Sequence, residues 1–258
     1  MNEHLRYDSF YRIPFGRTIP MFQLREISPF FQKVGYSTLT NMTVFDIGAN
    51  QGQWTAALLM HSGKYISQVH MFEPLPGNQA VIDKGMEDGL YGPHKGDLRL
   101  NRYGMSHAKG KATIHFEAEK SALASIDNSV AMMPGASVAL GMSREIELST
   151  VDSYCAEHDI NWIDLMKIDV EGHEMSVLRG AERMFRERKI MGVLYEIGPH
   201  QMARREYYQD FFNFFQSFGY NNYIINEFDS PVKAPKYSAA YEEFEVVAMR
   251  MALHPKFG

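Results

Sequence analysis

The sequence predicts an α/β protein: a doubly wound, mainly parallel sheet with helices on both faces. Three observations point there. From residue 43 onward, short apolar runs alternate with helical patterns, and strands alternating with helices imply parallel pairing with crossovers on both faces. The first apolar run leads through a glycine-bearing turn directly into a helix. The last two apolar runs are joined by a polar, proline-containing link, 227–243, which suits an antiparallel pair better than a helical crossover.

Taken in order, 43–47 reads as a buried strand and 52–61 as a helix. Residues 68–73 form a second strand. Residues 78–87 are helical and end in the glycine-rich stretch 89–96, and 98–103 is a third strand. The run 164–170 is another buried strand. Residues 174–188 read as one amphipathic helix, because Val177, Leu178, Ala181, Met184 and Phe185 share a face. Arg186, Arg188 and Lys189 close that helix, where its dipole favours cations. Residues 190–197 form the next strand, and 206–218 a helix that stops at Gly219. The last two strands are 223–226 and 245–249. Two regions break the alternation. One is the aromatic-rich cap segment 1–41. The other is the insertion of about 109–150, with a strand pair (112–116 and 144–148) around a Gly/Ser/Met loop, 128–143. Both are expected as lids over the carboxyl ends of the strands, where open α/β sheets bind ligands. Residues 42–258 then form the main domain.

Composition narrows the function classes. The chain has 258 residues, 45% apolar and 22% charged, an ordinary globular balance that excludes wholesale disorder. Lys and Arg total 26 against 31 Asp and Glu, a net charge of −5, with no basic stripe of the kind a nucleic-acid partner requires. Cys155 is the single cysteine, so no internal disulfide or thiolate zinc cage can form, and a reducing cytoplasm is the expected location. No run approaches the ~18 apolar residues of a membrane span. In the helix 206–218, Phe211, Phe212, Phe214, Phe215 and Phe218 exceed one helical face. The surplus suggests a homodimer contact.

The chemistry concentrates in three places. Val44-Phe45-Asp46-Ile47-Gly48-Ala49-Asn50-Gln51-Gly52-Gln53-Trp54 is a strand, a two-glycine turn and a helix start. Gly48 permits positive φ or close backbone approach, and Gly52 opens the helix, leaving its first N–H groups for a ligand. The spacing is G-x-x-x-G, not the G-x-G-x-x-G of dinucleotide folds or a phosphate-binding G-x-x-x-x-G-K. Taken alone, it is a tight turn. Glu73, in Met71-Phe72-Glu73-Pro74, lies 21 residues after Gly52 at a strand tip. A carboxylate there either accepts the hydroxyls of a nucleoside ribose or stands solvated at the strand end, and the glycine turn at this spacing favours the ribose. Lys167-Ile168-Asp169-Val170-Glu171-Gly172-His173-Glu174 packs ionisable groups after a buried strand. If the strand ending at Tyr195-Glu196-Ile197-Gly198-Pro199-His200 is adjacent, Asp169, Glu171, His173, Glu196 and His200 surround one cleft. Such groups serve as bases or hold a divalent metal. Glu174 is equally explained as a dipole partner of a helix N-terminus.

These residues resemble the FkbM family of S-adenosylmethionine-dependent methyltransferases. The resemblance rests on D-I-G-A-N-Q-G, F-E-P, S-H-A-K-G-K-A-T at 106–113, and K-I-D-V-E-G-H-E followed by V-L-R-G-A. It implies a Rossmann-like, seven-stranded mixed sheet, the last strand antiparallel and inserted between the fifth and sixth. It also implies S-adenosylmethionine as donor, S-adenosylhomocysteine as product, and most often a hydroxyl acceptor on a sugar, glycan or secondary metabolite. On that resemblance Asp46, Gly48, Ala49, Asn50, Gly52, Trp54, Glu73, Pro74, Ser106 and Asp169 are expected to bind the donor. Catalysis is expected on Asp169, Glu171 and His173, with His173 the better matched base by its ordinary pKa near 6.5. A metal-free mechanism is preferred to a divalent ion held by Asp169 with Glu196 or His200. The alternatives are a nicotinamide-dependent oxidoreductase, disfavoured by the missing G-x-G, and a noncatalytic nucleoside-binding scaffold.

Overall fold

The computed structural model describes residues 10–12, 18–92, 97–118, 124–126, 141–198, 201, 204–225, 232–234, 236 and 248–257. The elements run β1 (Phe10–Arg12), β2 (Thr18–Pro20), α1 (Met21–Val34), β3 (Met42–Ile47), α2 (Gln53–Ser62), β4 (Ile66–Phe72), α3 (Pro76–Glu87) and β5 (Asp97–Asn101). Then follow β6 (Gly104–Met105), β7 (Gly110–Phe116), β8 (Ala124–Ser125), β9 (Met142–Ser149), α4 (Val151–Glu157) and β10 (Ile163–Ile168). The last are α5 (Glu174–Arg179), α6 (Glu182–Arg186), β11 (Ile190–Ile197), α7 (Tyr208–Ser217), β12 (Asn221–Ile224), β13 (Val232–Ala234) and β14 (Ala248–Leu253).

The main sheet has the order β13-β12-β14-β11-β10-β3-β4-β5. From β5 to β11 its strands are parallel, and β14 inserts between β11 and β12, antiparallel to both. The seven expected strands are therefore eight. The extra strand, β13, pairs antiparallel with β12 at the sheet edge and falls inside the link that reads as a plain connection. Three residues after Pro231 give little strand signal, and proline is tolerated at such an edge.

Helices cover both faces. One face packs Ile27, Phe30 and Phe31 of α1 and Ala56, Ala57 and Leu58 of α2 against Val44, Val69 and Leu165. The other packs Tyr154, Val177, Phe185 and Phe211 against Phe45, Met166 and Val193. Strand residues alternate between these layers because successive side chains point to opposite faces. Helix α1 of the N-terminal segment thus covers a sheet face rather than the strand ends. It lies on the sheet tightly enough that a Cβ on Gly192 would meet the Phe30 ring at 2.6 Å.

One further expectation changes, and one helix is added. The helix read at 174–188 is two, α5 and α6, broken at Gly180, where a Cβ would sit 2.0 Å from the Ser106 carbonyl oxygen. The region 151–157 holds α4, capped by Thr150, whose side chain accepts from Ser153 N at 3.0 Å. Of the α7 aromatics, Phe211, Phe212 and Phe215 are buried, and Phe214 and Phe218, half-buried, pack on Phe185 at 5.3 and 5.7 Å.

The expected strand pair of the insertion is β7 with β9, antiparallel with Ala112 opposite Ile146. With β6 and β8 it forms a separate four-stranded sheet, whose Ile114, Phe116 and Ile146 pack on Leu75. The proposed lid loop lies outside the described residues, apart from 141–143. No helix among the described residues is long and apolar enough to cross a membrane.

Candidate active site

The turn after β3 is fixed by the chain's own backbone. Gly48 has φ 77°, and a Cβ there would fall 1.8 Å from the Asp169 carbonyl oxygen. Gly48 N and Ala49 N both donate to Phe72 O, at 3.1 and 3.0 Å. A larger residue at 48 would therefore collide first with the neighbouring strand end rather than with a donor. Gly52 caps α2 at φ 76°, with a Cβ position 2.1 Å from the Tyr91 hydroxyl. Both glycines are held where a side chain has no room. The Asn50 side-chain oxygen and the Trp54 indole N–H are buried with no hydrogen-bond partner among the described residues.

Glu73 leaves the tip of β4 and turns inward. Its Oε2 accepts from Asn50 N at 2.9 Å, and its Oε1 from Leu75 N at 2.8 Å and Asn78 Nδ2 at 3.4 Å. The carboxylate thereby ties the glycine turn to the loop after β4. Burial outweighs these bonds and pushes its pKa up to about 7.

Lys167, which sequence reasoning left without a role, is the centre of the site. Its side chain is 5% exposed and its ammonium lies 3.3 Å from Asp46 Oδ1, 3.2 Å from Asp169 Oδ2 and 3.0 Å from Gly48 O. Asp46 is fully buried and also accepts the Thr55 hydroxyl at 2.7 Å. An ammonium deep in the chain needs such partners, because an unpaired buried charge is costly. The Asp169 side chain, 35% exposed, is the open end of this chain of contacts. Asp169, Glu171 and Glu196 offer carboxylate oxygens all within 4.8 Å of one another, a set that could hold a metal ion. His200, the other expected ligand, lies outside the described residues.

His173 differs from the expected free base. Its Nε2 is 2.9 Å from Ser106 Oγ and its Nδ1 3.3 Å from an Arg204 guanidinium nitrogen. A guanidinium only donates, so Nδ1 is assigned as acceptor and Nε2 as the protonated nitrogen facing Ser106. Both ring nitrogens are engaged, and the ring joins α5 to the insertion and to the segment before α7. Glu174 is not a solvated dipole partner either. It is fully buried; Oε1 accepts from Val170 N and Gly172 N at 2.9 and 3.2 Å, and Oε2 from Gln201 Nε2 at 2.7 Å. Burial pushes its pKa to about 7. Cys155 is buried and its thiol is pushed up to about 12, the state of an inert core residue.

These groups open on a cavity of about 350 Å³ at the carboxyl ends of the strands. Of the expected residues, Gly48, Ala49, Asn50, Trp54, Glu73, Pro74, Asp169, Glu171 and His173 line it; Asp46, Gly52 and Ser106 stand behind it, bonded to the lining residues Lys167, Ala49 and His173. Lys167, Asn78 and Glu196 line it as well. Met105 of β6, with Ile114, Ile126 and Ile146 of the insertion, supplies an apolar roof. A doubly wound sheet with an antiparallel inserted strand is a methyltransferase-type fold, and its acidic cavity lies at the carboxyl edge.

Residues 46–221 match the family Methyltransferase FkbM domain. The chain belongs to this family of S-adenosylmethionine-dependent methyltransferases. The crystal structure of methyltransferase FkbM from Methylobacillus flagellatus KT is similar at TM-score 0.51 and 17% identity, over 85% of this chain and 48% of that one. The chain thus spans about half of that protein's length. Precorrin-6y C5,15-methyltransferase from Geobacter metallireducens GS-15 gives a TM-score of 0.44 at 10% identity, covering 96% of each chain. No curated protein sequence matches the chain.

Proposed function

We propose that the protein transfers a methyl group from S-adenosylmethionine to a hydroxyl of a sugar, glycan or secondary-metabolite acceptor. The observation that carries this reading is the convergence of the glycine turn, Glu73 and Asp169 on one cavity under an apolar roof. The residues present fit the donor. Glu73 suits the ribose hydroxyls, and the buried Asn50 oxygen and Trp54 N–H, unpartnered among the described residues, offer an acceptor and a donor to a polar ligand. The bound donor supplies a methyl group on a positively charged sulfur.

The chain's own work is mostly positioning, since near-collinear reacting atoms about 3–3.5 Å apart account for much of such a barrier. The acceptor hydroxyl must also lose its proton. Asp169 is the base in this reading, because His173 uses both ring nitrogens on Ser106 and Arg204, while Asp169 keeps one oxygen beyond the Lys167 contact. Glu171 and Glu196 stand beside it. The Lys167 ammonium already offsets charge at Asp169, and this supports the metal-free form.

A screen of sugar and secondary-metabolite acceptors with methyl-labelled donor tests the proposal. Once an acceptor is found, Asp169→Asn should lower kcat by about 10²–10⁴-fold, His173→Ala by less, and EDTA should leave turnover intact. Full activity in Asp169→Asn would remove the base from this position. Loss in EDTA with rescue by Mg²⁺ would place a metal on the three carboxylates.

A further inference from the structure

Lys167 is the one Lys or Arg among the described residues that line the cavity, against Glu73, Asp169, Glu171 and Glu196. Its ammonium is held by Asp46, Asp169 and the Gly48 carbonyl. It therefore stands between the donor turn and the carboxylate at the acceptor end. Mere charge balance at Asp46 would not require it to reach the cavity.

We propose that Lys167 tunes the charge felt at the donor's sulfur, so that the site does not hold the charged donor in preference to the neutral product. The inference rests on the donor reading above. In the transfer, the carbon–sulfur bond breaks with its electron pair staying on sulfur. A lone pair of the acceptor oxygen forms the new bond to carbon, and the acceptor proton passes to Asp169. Sulfur goes from positive to neutral, so a cavity of uncompensated carboxylates would stabilise the starting state more than the transition state. Interactions shared by or favouring the ground state do not raise the rate. A fixed cation nearby acts the other way. Lys167 is a positioning residue in this account and need not touch the reacting atoms.

The test is the ratio of two binding constants, measured by calorimetry with S-adenosylmethionine and S-adenosylhomocysteine. A fold defect would weaken both ligands together, whereas charge tuning moves them apart. Lys167→Met should tighten the charged donor relative to the product by about tenfold, the scale of one charge acting within roughly 10 Å at an effective dielectric of about 20. Asp46→Asn removes a carboxylate while keeping the ammonium, and should shift the ratio in the opposite direction. If Lys167→Met does not fold, Asp46→Asn decides alone. A ratio within twofold of wild type in the folded variants would overturn the proposal. Wild-type protein that binds neither ligand would instead overturn the donor reading on which it rests.

Discussion

Glu73 shows how burial prepares a binding group. Its two oxygens already accept backbone N–H groups from Asn50 and Leu75, yet desolvation holds its pKa near 7. A carboxyl pushed up to about 7 gains its charge as pH rises through that range. If the carboxylate accepts ribose hydroxyls, S-adenosylhomocysteine affinity should rise as pH increases through 7 and level off above it. Glu73→Gln should flatten that dependence and weaken binding at pH 8 by at least about tenfold, from the ~1.5–3 kcal/mol of a hydrogen bond to a charged group. Calorimetry between pH 6 and 8.5 measures both, and an affinity that falls with pH would contradict the assignment. Glu73, Asp169 and the two glycines were legible in the sequence because their signals are local: an acid at the end of an apolar run, a glycine where a strand turns into a helix. Lys167 was not. Its partners Asp46 and Gly48 lie about 120 residues away, and only the parallel pairing of β10 with β3 brings them together.

At the level of elements, the turn between β10 and α5 is an acid-clamped loop. Glu171 adopts φ 53° and Gly172 φ 96°, and Glu174 folds back on the N–H groups of Val170 and Gly172 while Gln201 closes its other oxygen. Every partner is a donor, so Glu174→Gln must set one N–H against another. It should cost about 1–3 kcal/mol of stability, read as a lower midpoint in thermal or urea unfolding. An unchanged midpoint would mean the turn holds itself without the clamp. The sequence pattern gave the existence of most helices and strands and missed their breaks. Apolar spacing continues through Gly180, so 174–188 looks continuous. What ends α5 is the approach of the Ser106 carbonyl from the insertion, a contact with no local trace. The short α4 was missed although Thr150 and Asp152 mark its start, because seven residues hold too little periodicity to stand out.

Across the whole molecule, the alternation of strands and helices gave the doubly wound sheet, and the resemblance gave its antiparallel inserted strand. The motifs gave the place of the cavity, at the carboxyl edge under the insertion. The eighth strand and the seating of α1 on a sheet face were not legible, since three residues at an edge and an aromatic-rich opening fit several packings. The central claim is that the glycine turn, Glu73 and Asp169 form one donor site. A crystal structure of the protein with S-adenosylhomocysteine tests it most directly. The account predicts the ribose hydroxyls on Glu73 and the sulfur in the cavity between Gly48 and Asp169. A ligand bound elsewhere, or a ribose with no contact to Glu73, would contradict it.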